Sequence, residues 1–386
     1  MVASGAPYDI LHTTRSLRID GVTNVVLRNV SHLDRDRFVS HVCSLRNDDH
    51  LAPQFREHGI EPVFLGHRGP ASIPGTVAKL VRLIRDRRIR LVHTHRTVDL
   101  GIAGLAACIC GVPLISTIHW IGPQSYPENV PMWQKRSSAL ARALLDRMFA
   151  RQIVVVSEAV RASYAGVPFF PLDRTALVYP GLDMAEGTAP DPAIVEELRS
   201  RLALDGTGPV LLNIGRLDEV KGQIHLIPMM LRVRERLPAA RLLIAGDGEL
   251  RGRLTRAVTA AGLDDAVTFL GARTDIDELL AVSDLLVVTS ESEAVGLPPL
   301  EAMRRGKPVV ATGVGGIPEI LDGGGGIVVP RGDAAALAGA VVEVLAVPGR
   351  AEEMGAAGSR MVRGRFDIRH SVEALERLYL SVLGVH

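Results

Sequence analysis

The chain's 386 residues exceed one ordinary core, so two domains of roughly 150–200 residues are expected. A composition of 47% hydrophobic and 23% charged residues excludes a disordered chain. A formal net charge of +1 excludes a nucleic-acid partner held by bulk charge, and three cysteines with no opening signal peptide exclude a disulfide framework and point to the cytoplasm.

Strand and helix signals alternate from the start. Residues 8–13 form the first strand-like run, and a turn at Asp20-Gly21 leads into a helix over about 23–30. Residues 37–44, 62–65, 90–94, 114–118, 152–156 and 176–179 supply further strands. The longest apolar run, 100–118, approaches the length of a bilayer span, but Gly111 and Pro113 divide it into helix, turn and strand. Residues 184–192, rich in Gly, Pro and acid, read as a hinge. A second alternation follows at 210–214, 241–245, 267–270, 284–289, 308–311 and 326–329. In the tail, Val372, Leu375, Leu378, Tyr379 and Val382 share one helix face.

The expected architecture is α/β: a Rossmann-like domain over 1–183, a linker over 184–206, a second Rossmann-like domain over 207–365 and a C-terminal helix over 366–386. Doubly wound parallel sheets bind ligands at the carboxyl ends of their strands, and a cleft is expected where those ends face each other. Charge divides along the same line. Residues 1–180 carry 22 Lys and Arg against 14 Asp and Glu, and the remainder 22 against 29. A basic first half fits a membrane surface, a phosphorylated acceptor or an ordinary solvated surface.

Gly215-Arg216 follows the strand at 210–214, and Lys221-Gly222 comes shortly after. Cations at a strand's carboxyl end, with glycines that admit close backbone approach, suit a phosphate; a charged surface turn is the plainer reading. Glu293 and Glu301 are separated by seven residues that include Gly296-Leu297-Pro298-Pro299. Proline belongs in the first turn of a helix and not in its interior, so Glu293 is placed in a loop and Glu301 just inside the next helix. The helix start offers amides and a positive dipole end to an anion. A diphosphate between the cations and this helix start would leave the two carboxylates to accept from the hydroxyls of a ribose and a hexose. Taken alone, a helix-start acid and a surface acid explain the pair as well.

His119 closes the strand at 114–118, where it would face the cleft and meet a substrate oxygen, although most of twelve histidines are expected to be structural. His93 and His95 sit at another strand end and are weaker candidates; His-x-His suggests metal, but no carboxylate or Cys cluster accompanies it. Asp34/Asp36 and Asp275/Asp277 read as turn and helix-start acids, and Cys108-x-Cys110 as core. Gly246-Asp247-Gly248 lacks the spacing of a dinucleotide fingerprint. The basic run 81–90 fits a helix end against anionic lipid and, with more weight, a solvated helix.

Taken in order, Gly215-Arg216 with Lys221-Gly222, Gly246-Asp247-Gly248, the stretch from Glu293 through Leu300-Glu301-Ala302-Met303, and Gly306-Lys307-Pro308-Val309-Val310 resemble the retaining GT-B glycosyltransferases of family four. The resemblance covers almost the whole chain and is strongest over 211–330. Leu11-His12 through Asn24 and Thr117-Ile118-His119 resemble the family's N-terminal motifs, and the tail resembles its helix crossing back to the first, acceptor-side domain. It implies that Arg216 and Lys221 neutralise the donor diphosphate without a metal or other cofactor, helped by amides near Gly296 and Leu297. It also implies that Glu301 binds the nucleotide ribose, that Glu293 and His119 contact the donor sugar, and that Gly21 lets backbone approach the phosphate. The chain departs from the family with Asp20 in place of a glycine, which puts an extra carboxylate near the phosphate or acceptor. It has Asn24 in place of an acid, and Ala294-Val295 in place of a glycine and an aromatic. Asp20, Asn24 and His95 are the acceptor-side candidates.

The expected activity is transfer of a hexosyl-type group from a nucleoside diphosphate sugar, a UDP-sugar, to an acceptor hydroxyl in polysaccharide or glycoconjugate assembly. Saccharide, lipid-linked and small natural-product acceptors all fit, with peripheral contact at the inner membrane face as an additional partner and no nucleic acid. A nucleotide-sugar epimerase and a non-catalytic nucleotide-sugar-binding subunit are the rivals.

Overall fold

The computed structural model describes residues 6–122, 130–185, 190–204, 206 and 208–385. They fall into two compact units, one formed by the described residues up to Asp183 together with Ile368 onward, the other by Met184–Asp367.

The first unit runs β1 (Tyr8–Thr14), α1 (Gly21–His32), β2 (Phe38–Ser44), α2 (Ala52–Glu57), β3 (Val63–Phe64), α3 (Ile73–Asp86), β4 (Leu91–Thr94), α4 (Thr97–Cys110), β5 (Leu114–Ile118), α5 (Met132–Phe149), β6 (Ala150–Val155), α6 (Glu158–Tyr164) and β7 (Thr175–Leu177). Its sheet is parallel in the order β3-β2-β1-β4-β5-β6-β7. Central strands β4 and β5 are buried at every position, as strands covered on both faces must be. Helix α1 begins earlier than its apolar pattern suggests because Asp20 caps it, accepting from Thr23 N at 2.9 Å. The apolar run after residue 100 is α4, a turn at Gly111 and β5, and no single described helix is long and apolar enough to cross a membrane.

The second unit begins with α7 (Pro192–Arg201), inside the stretch expected to be linker. Asp191 caps this helix by accepting from Ala193 N at 2.8 Å, and Pro192 opens it. There follow β8 (Val210–Ile214), α8 (Leu226–Arg236), β9 (Arg241–Ala245), α9 (Arg251–Ala260), β10 (Val267–Gly271), α10 (Ile276–Val282), β11 (Leu285–Val288), α11 (Leu297–Arg304), β12 (Val309–Thr312), α12 (Ile317–Leu321), β13 (Gly326–Val329), α13 (Ala334–Ala346) and α14 (Arg350–Arg365). The parallel order is β10-β9-β8-β11-β12-β13. Helix α7 packs against α10, so the segment after 190 belongs to this unit's architecture.

The last helix, α15 (Ile368–Leu383), returns to the first unit. Ile368, Val372, Leu375 and Tyr379 are buried with Ile10, Phe38, Leu91, Ile115 and Val154, so the tail supplies part of the core under the first sheet. Ile368 N donates to Leu182 O at 2.8 Å, and Ser371 Oγ to Tyr179 O at 2.6 Å. Gly181 lies beneath this junction, where a Cβ would stand 2.4 Å from Ile368 Cα. Gly181→Ala must therefore shift backbone and is expected to lower stability by about 1–3 kcal/mol. Gly339→Ala, at an exposed position in α13 with nothing within 4 Å of the added carbon, is expected to raise it by about 0.5–1 kcal/mol. Denaturant unfolding of the two variants checks the opposite signs.

Candidate active site

In the second sheet, β8 leads outward to β9 and its neighbour β11 leads the other way to β12. Loops leaving such a pair diverge, and the crevice between them is where open α/β sheets take ligands. Gly215, Arg216 and Lys221 lie on the loop after β8, and Glu293 on the loop after β11. Lys221 Nζ donates to Glu293 Oε1, which also accepts from Ser290 Oγ at 2.9 Å. With side chains 21% and 13% exposed, the pair is only partly hydrated. Arg216 is 65% exposed and pairs with Asp218 at 2.8 Å. Asp218 also accepts from Lys221 N at 3.1 Å, closing a short 3-10 turn that sets where the lysine begins.

Hydrogen bonds to backbone carbonyls lock the loops together. Thr289 Oγ1 donates to Lys221 O at 3.0 Å, and Glu291 N to Val220 O at 2.8 Å. Gly222 has φ +60°, and a Cβ there would stand 2.3 Å from Thr289 O, so no other residue lets these loops meet. Gly246 has the same duty toward the other side: its Cβ would lie 1.8 Å from Gly215 O. The glycines after β9 thus serve packing under the Arg216 loop.

Glu293 lies in the loop and Glu301 is half-buried in α11, as the proline spacing requires. Gly296 is the cap, with φ +93° and no side-chain cap bond. The helix mouth is poorer in donors than expected, because Pro298 and Pro299 carry no N–H and Gly296, Leu297 and Leu300 are left to supply it. Asp277 binds Arg304 at 3.1 Å and Arg305 at 2.8 Å, and so anchors the far end of α11 to α10. Asp275 pairs with Arg273. Both acids are structural.

The first sheet has its own point of divergence between β1 and β4, and histidines fill it. His12 and His93 are register partners on these strands, and one nitrogen from each of His12, His93 and His95 lies within 4.8 Å of the others. His93 Nδ1 is 2.7 Å from the Tyr379 hydroxyl and its Nε2 is 2.6 Å from Thr117 Oγ1. His12 Nδ1 meets His95 Nε2 at 3.4 Å, and His95 Nδ1 meets His119 Nε2 at 3.3 Å. Both nitrogens of His93 are engaged and no carboxylate joins the group among the described residues, so the donor set suits a hydrogen-bonded column better than a metal centre. Burial, then Arg96 and Arg142, lowers the His119 pKa to about 3; burial and His41 bring His12 to about 3. Burial drives His93 and His95 down as well. The whole column is neutral imidazole at neutral pH.

Asp20, expected as an additional carboxylate for phosphate or acceptor, has both oxygens in use. Oδ1 accepts from Thr23 N and, at 3.1 Å, Thr23 Oγ1, while Oδ2 takes the Arg96 guanidinium. Arg96 in turn lies 5.4 Å over the Trp120 ring. Gly21 is the exposed first residue of α1, and Asn24 N donates to Asp20 O at 3.0 Å. Sequence reasoning did not select Arg96, Ser290, Asp218, His12 or Tyr379 as site residues, although it placed His12 in a family motif and Tyr379 on the face of the tail helix. Of these, only Ser290 and Asp218 stand close enough in sequence to a candidate to have been read as its partner.

The family model described as Glycosyl transferases group 1 matches residues 194–361, and the one described as Glycosyltransferase Family 4 matches residues 19–186. A GDP-mannose-dependent alpha-(1-6)-phosphatidylinositol monomannoside mannosyltransferase of Mycobacterium tuberculosis is 30% identical over 312 residues, 78% of this chain and 78% of its own. A 2-deoxystreptamine N-acetyl-D-glucosaminyltransferase of Streptomyces fradiae is 29% identical over 98% of this chain and 91% of its own. Among solved structures, HepE of Anabaena in complex with UDP-glucose superposes with a TM-score of 0.85, covering 97% of this chain and 99% of its own at 24% identity, which shows the shared fold. Two parallel doubly wound units, the first completed by the tail helix, together with these matches, settle the class: the chain belongs to the group 1, family four glycosyltransferases and is a transferase of GT-B fold.

Proposed function

We propose that the chain is a retaining, metal-independent hexosyltransferase that carries a sugar from a UDP-sugar to an acceptor hydroxyl in glycoconjugate or polysaccharide assembly. The observation that carries this reading is the Lys221–Glu293–Ser290 constellation at the divergence of β8 and β11, beside the mouth of α11. Breaking the glycosidic bond places negative charge on the leaving diphosphate, and Lys221, Arg216 and the Leu297 amide are fixed donors for it. Glu293 and Glu301 accept from sugar hydroxyls. His119 contributes a neutral hydrogen bond to the donor sugar, since an imidazolium there would be expelled by burial. No side chain is assigned as a covalent nucleophile; the acceptor attacks on the face the leaving phosphate departs from, and that phosphate takes the proton. UDP is favoured by the ligand of the Anabaena structure, whereas the Mycobacterium relative is named for GDP-mannose.

Donor and acceptor panels read by mass spectrometry test this. The panel includes UDP-glucose, UDP-N-acetylglucosamine and GDP-mannose against phosphatidylinositol mannoside and 2-deoxystreptamine derivatives. Coupling constants at the new anomeric centre should match the donor's, and an inverted product overturns the retaining assignment. Full interconversion of a donor without acceptor would instead mark an epimerase. Lys221→Ala is expected to lower kcat/KM by about 10²–10³-fold, and unchanged transfer would remove the lysine from the diphosphate site.

The imidazole column generates a pH test. In the unfolded chain these histidines titrate near about 6.5, whereas His12 and His119 stay neutral in the fold down to about 3. The unfolded state therefore binds more protons below about pH 6.5, and stability falls as pH drops from there toward the folded values. Thermal melts taken from neutral to mildly acidic pH should show a declining midpoint, and His12→Phe should flatten that slope.

A further inference from the structure

The loops leaving β1, β2 and β3 at their carboxyl ends enclose an open pocket of about 410 Å³, lined chiefly by Arg18, Arg46, Asn47, Asp48, His67 and Arg68. That volume suits a small polar ligand. The walls are held by backbone bonds that continue the parallel ladder past the strand ends. Leu45 N donates to Thr14 O at 2.9 Å, Arg46 N to Arg15 O at 3.0 Å, Leu17 N to Asp48 O at 3.0 Å and His67 N to Leu45 O at 2.6 Å. The side chains are poised for an anion. Among the described residues the Asp48 carboxylate takes only Arg18 Nε, at 3.1 Å, which leaves that guanidinium's two terminal nitrogens for a ligand. Arg46 and Arg68 pair with no carboxylate among the described residues, so three guanidinium groups share one acid. His67 Nδ1 is 3.0 Å from Ser72 Oγ and 3.2 Å from Thr76 Oγ1, which leaves Nε2 as its nitrogen for the pocket.

We propose that this pocket anchors the acceptor through a phosphate group, so that the enzyme's acceptors are phosphorylated polyols or sugars. The assignment rests on the glycosyl-transfer reading and supplies the acceptor chemistry that reading lacks. A phosphate fits better than a carboxylate because it presents three oxygens to converging guanidinium forks, whereas a carboxylate satisfies one fork. A neutral acceptor would leave the arginines without an anion. The pocket belongs to the first unit, which the glycosyl-transfer reading gives to the acceptor. It lies on the β1–β3 side of the β1/β4 divergence, and Arg18 precedes the Asp20-Gly21 helix start by two residues.

Isothermal titration with inorganic phosphate, and transfer assays with myo-inositol 1-phosphate against myo-inositol and glucose 6-phosphate against glucose, test the proposal. The wild-type protein should bind phosphate, and the phosphorylated member of each pair should be the better acceptor. Arg46→Ala with Arg68→Ala should weaken phosphate binding and raise the acceptor KM about tenfold or more, with UDP titration as the control for folding and donor binding. The doubly conservative Arg46→Lys with Arg68→Lys should recover part of the loss. Sedimentation with phosphatidylcholine vesicles, with and without phosphatidylinositol, separates a lipid source of the phosphate from a soluble one, and arginine-dependent binding to the latter vesicles supports the site with a lipid as its carrier. Equal phosphate binding by the wild type and the alanine variant, or equal use of neutral and phosphorylated acceptors, overturns the proposal. Arginine-dependent phosphate binding without transfer from any UDP-sugar would uphold the anion pocket and overturn the donor reading on which its acceptor role rests.

Discussion

A partly buried ammonium needs an anion within reach, and Lys221 has Glu293. The two residues come from loops that leave adjacent strands in opposite directions, so their pairing ties the point of divergence shut, as do the bonds from Thr289 Oγ1 to Lys221 O and from Glu291 N to Val220 O. Gly222 makes these bonds feasible, because any Cβ would collide with the Thr289 carbonyl. Lose one of these contacts and the lysine, the glutamate and the start of α11 cease to be fixed relative to one another. Preorganisation here is a property of loop packing, and the charges inherit it.

The first unit depends on its tail in a comparable way. Tyr379 bonds His93 from α15, while the same helix buries Ile368, Val372 and Leu375 against strands laid down more than 200 residues earlier in the chain. The histidine column is thus closed by residues that are last in sequence. Its neutrality follows from burial, and neutral imidazoles can chain donor to acceptor without the repulsion that protonated ones would suffer. Such a column orients His119 through His95 and gives the residue just past β5 a fixed hydrogen-bonding direction.

What the sequence made legible was local. Parallel strands are short continuous apolar runs set off by glycine and proline, so β8, β9 and β13 coincide with the stretches expected of them. Glu293 and Glu301 could be placed because two prolines forbid one helix and permit another. Pairings across strands were not legible. His12 faces His93 only because β1 neighbours β4, and strand order is fixed by packing that no window of residues contains. The same gap hid the Lys221–Glu293 and Asp20–Arg96 pairs, which turn candidate ligands into partners of each other. The α7 helix was not legible because Asp191-Pro192, its start signal, sits at the end of the hinge-like stretch 184–192 and reads as part of it. The missing amides of Pro298 and Pro299 were readable in advance, yet the helix start was credited with a full set of amides as well as its dipole.

Bulk charge and local charge point in different directions in this chain. The residues after 180 carry 22 Lys and Arg against 29 Asp and Glu, yet on the proposed reading they receive the more highly charged ligand group. Over a few ångströms geometry decides, because an oriented cation at contact outweighs distant carboxylates that salt screens. Lys221 and Arg216 meet this demand differently. On that reading Lys221, held and partly desolvated, fixes the position of an incoming phosphate, while Arg216, 65% exposed and among the described residues tied only to Asp218, can exchange one anion for another at little desolvation cost. A diphosphate that displaces Asp218 from Arg216 and shares Lys221 with Glu293 keeps an anion against both cations throughout. The carboxylates beside the cations therefore do not argue against an anion site: they keep the cations in place and neutral in sum until the phosphate takes over.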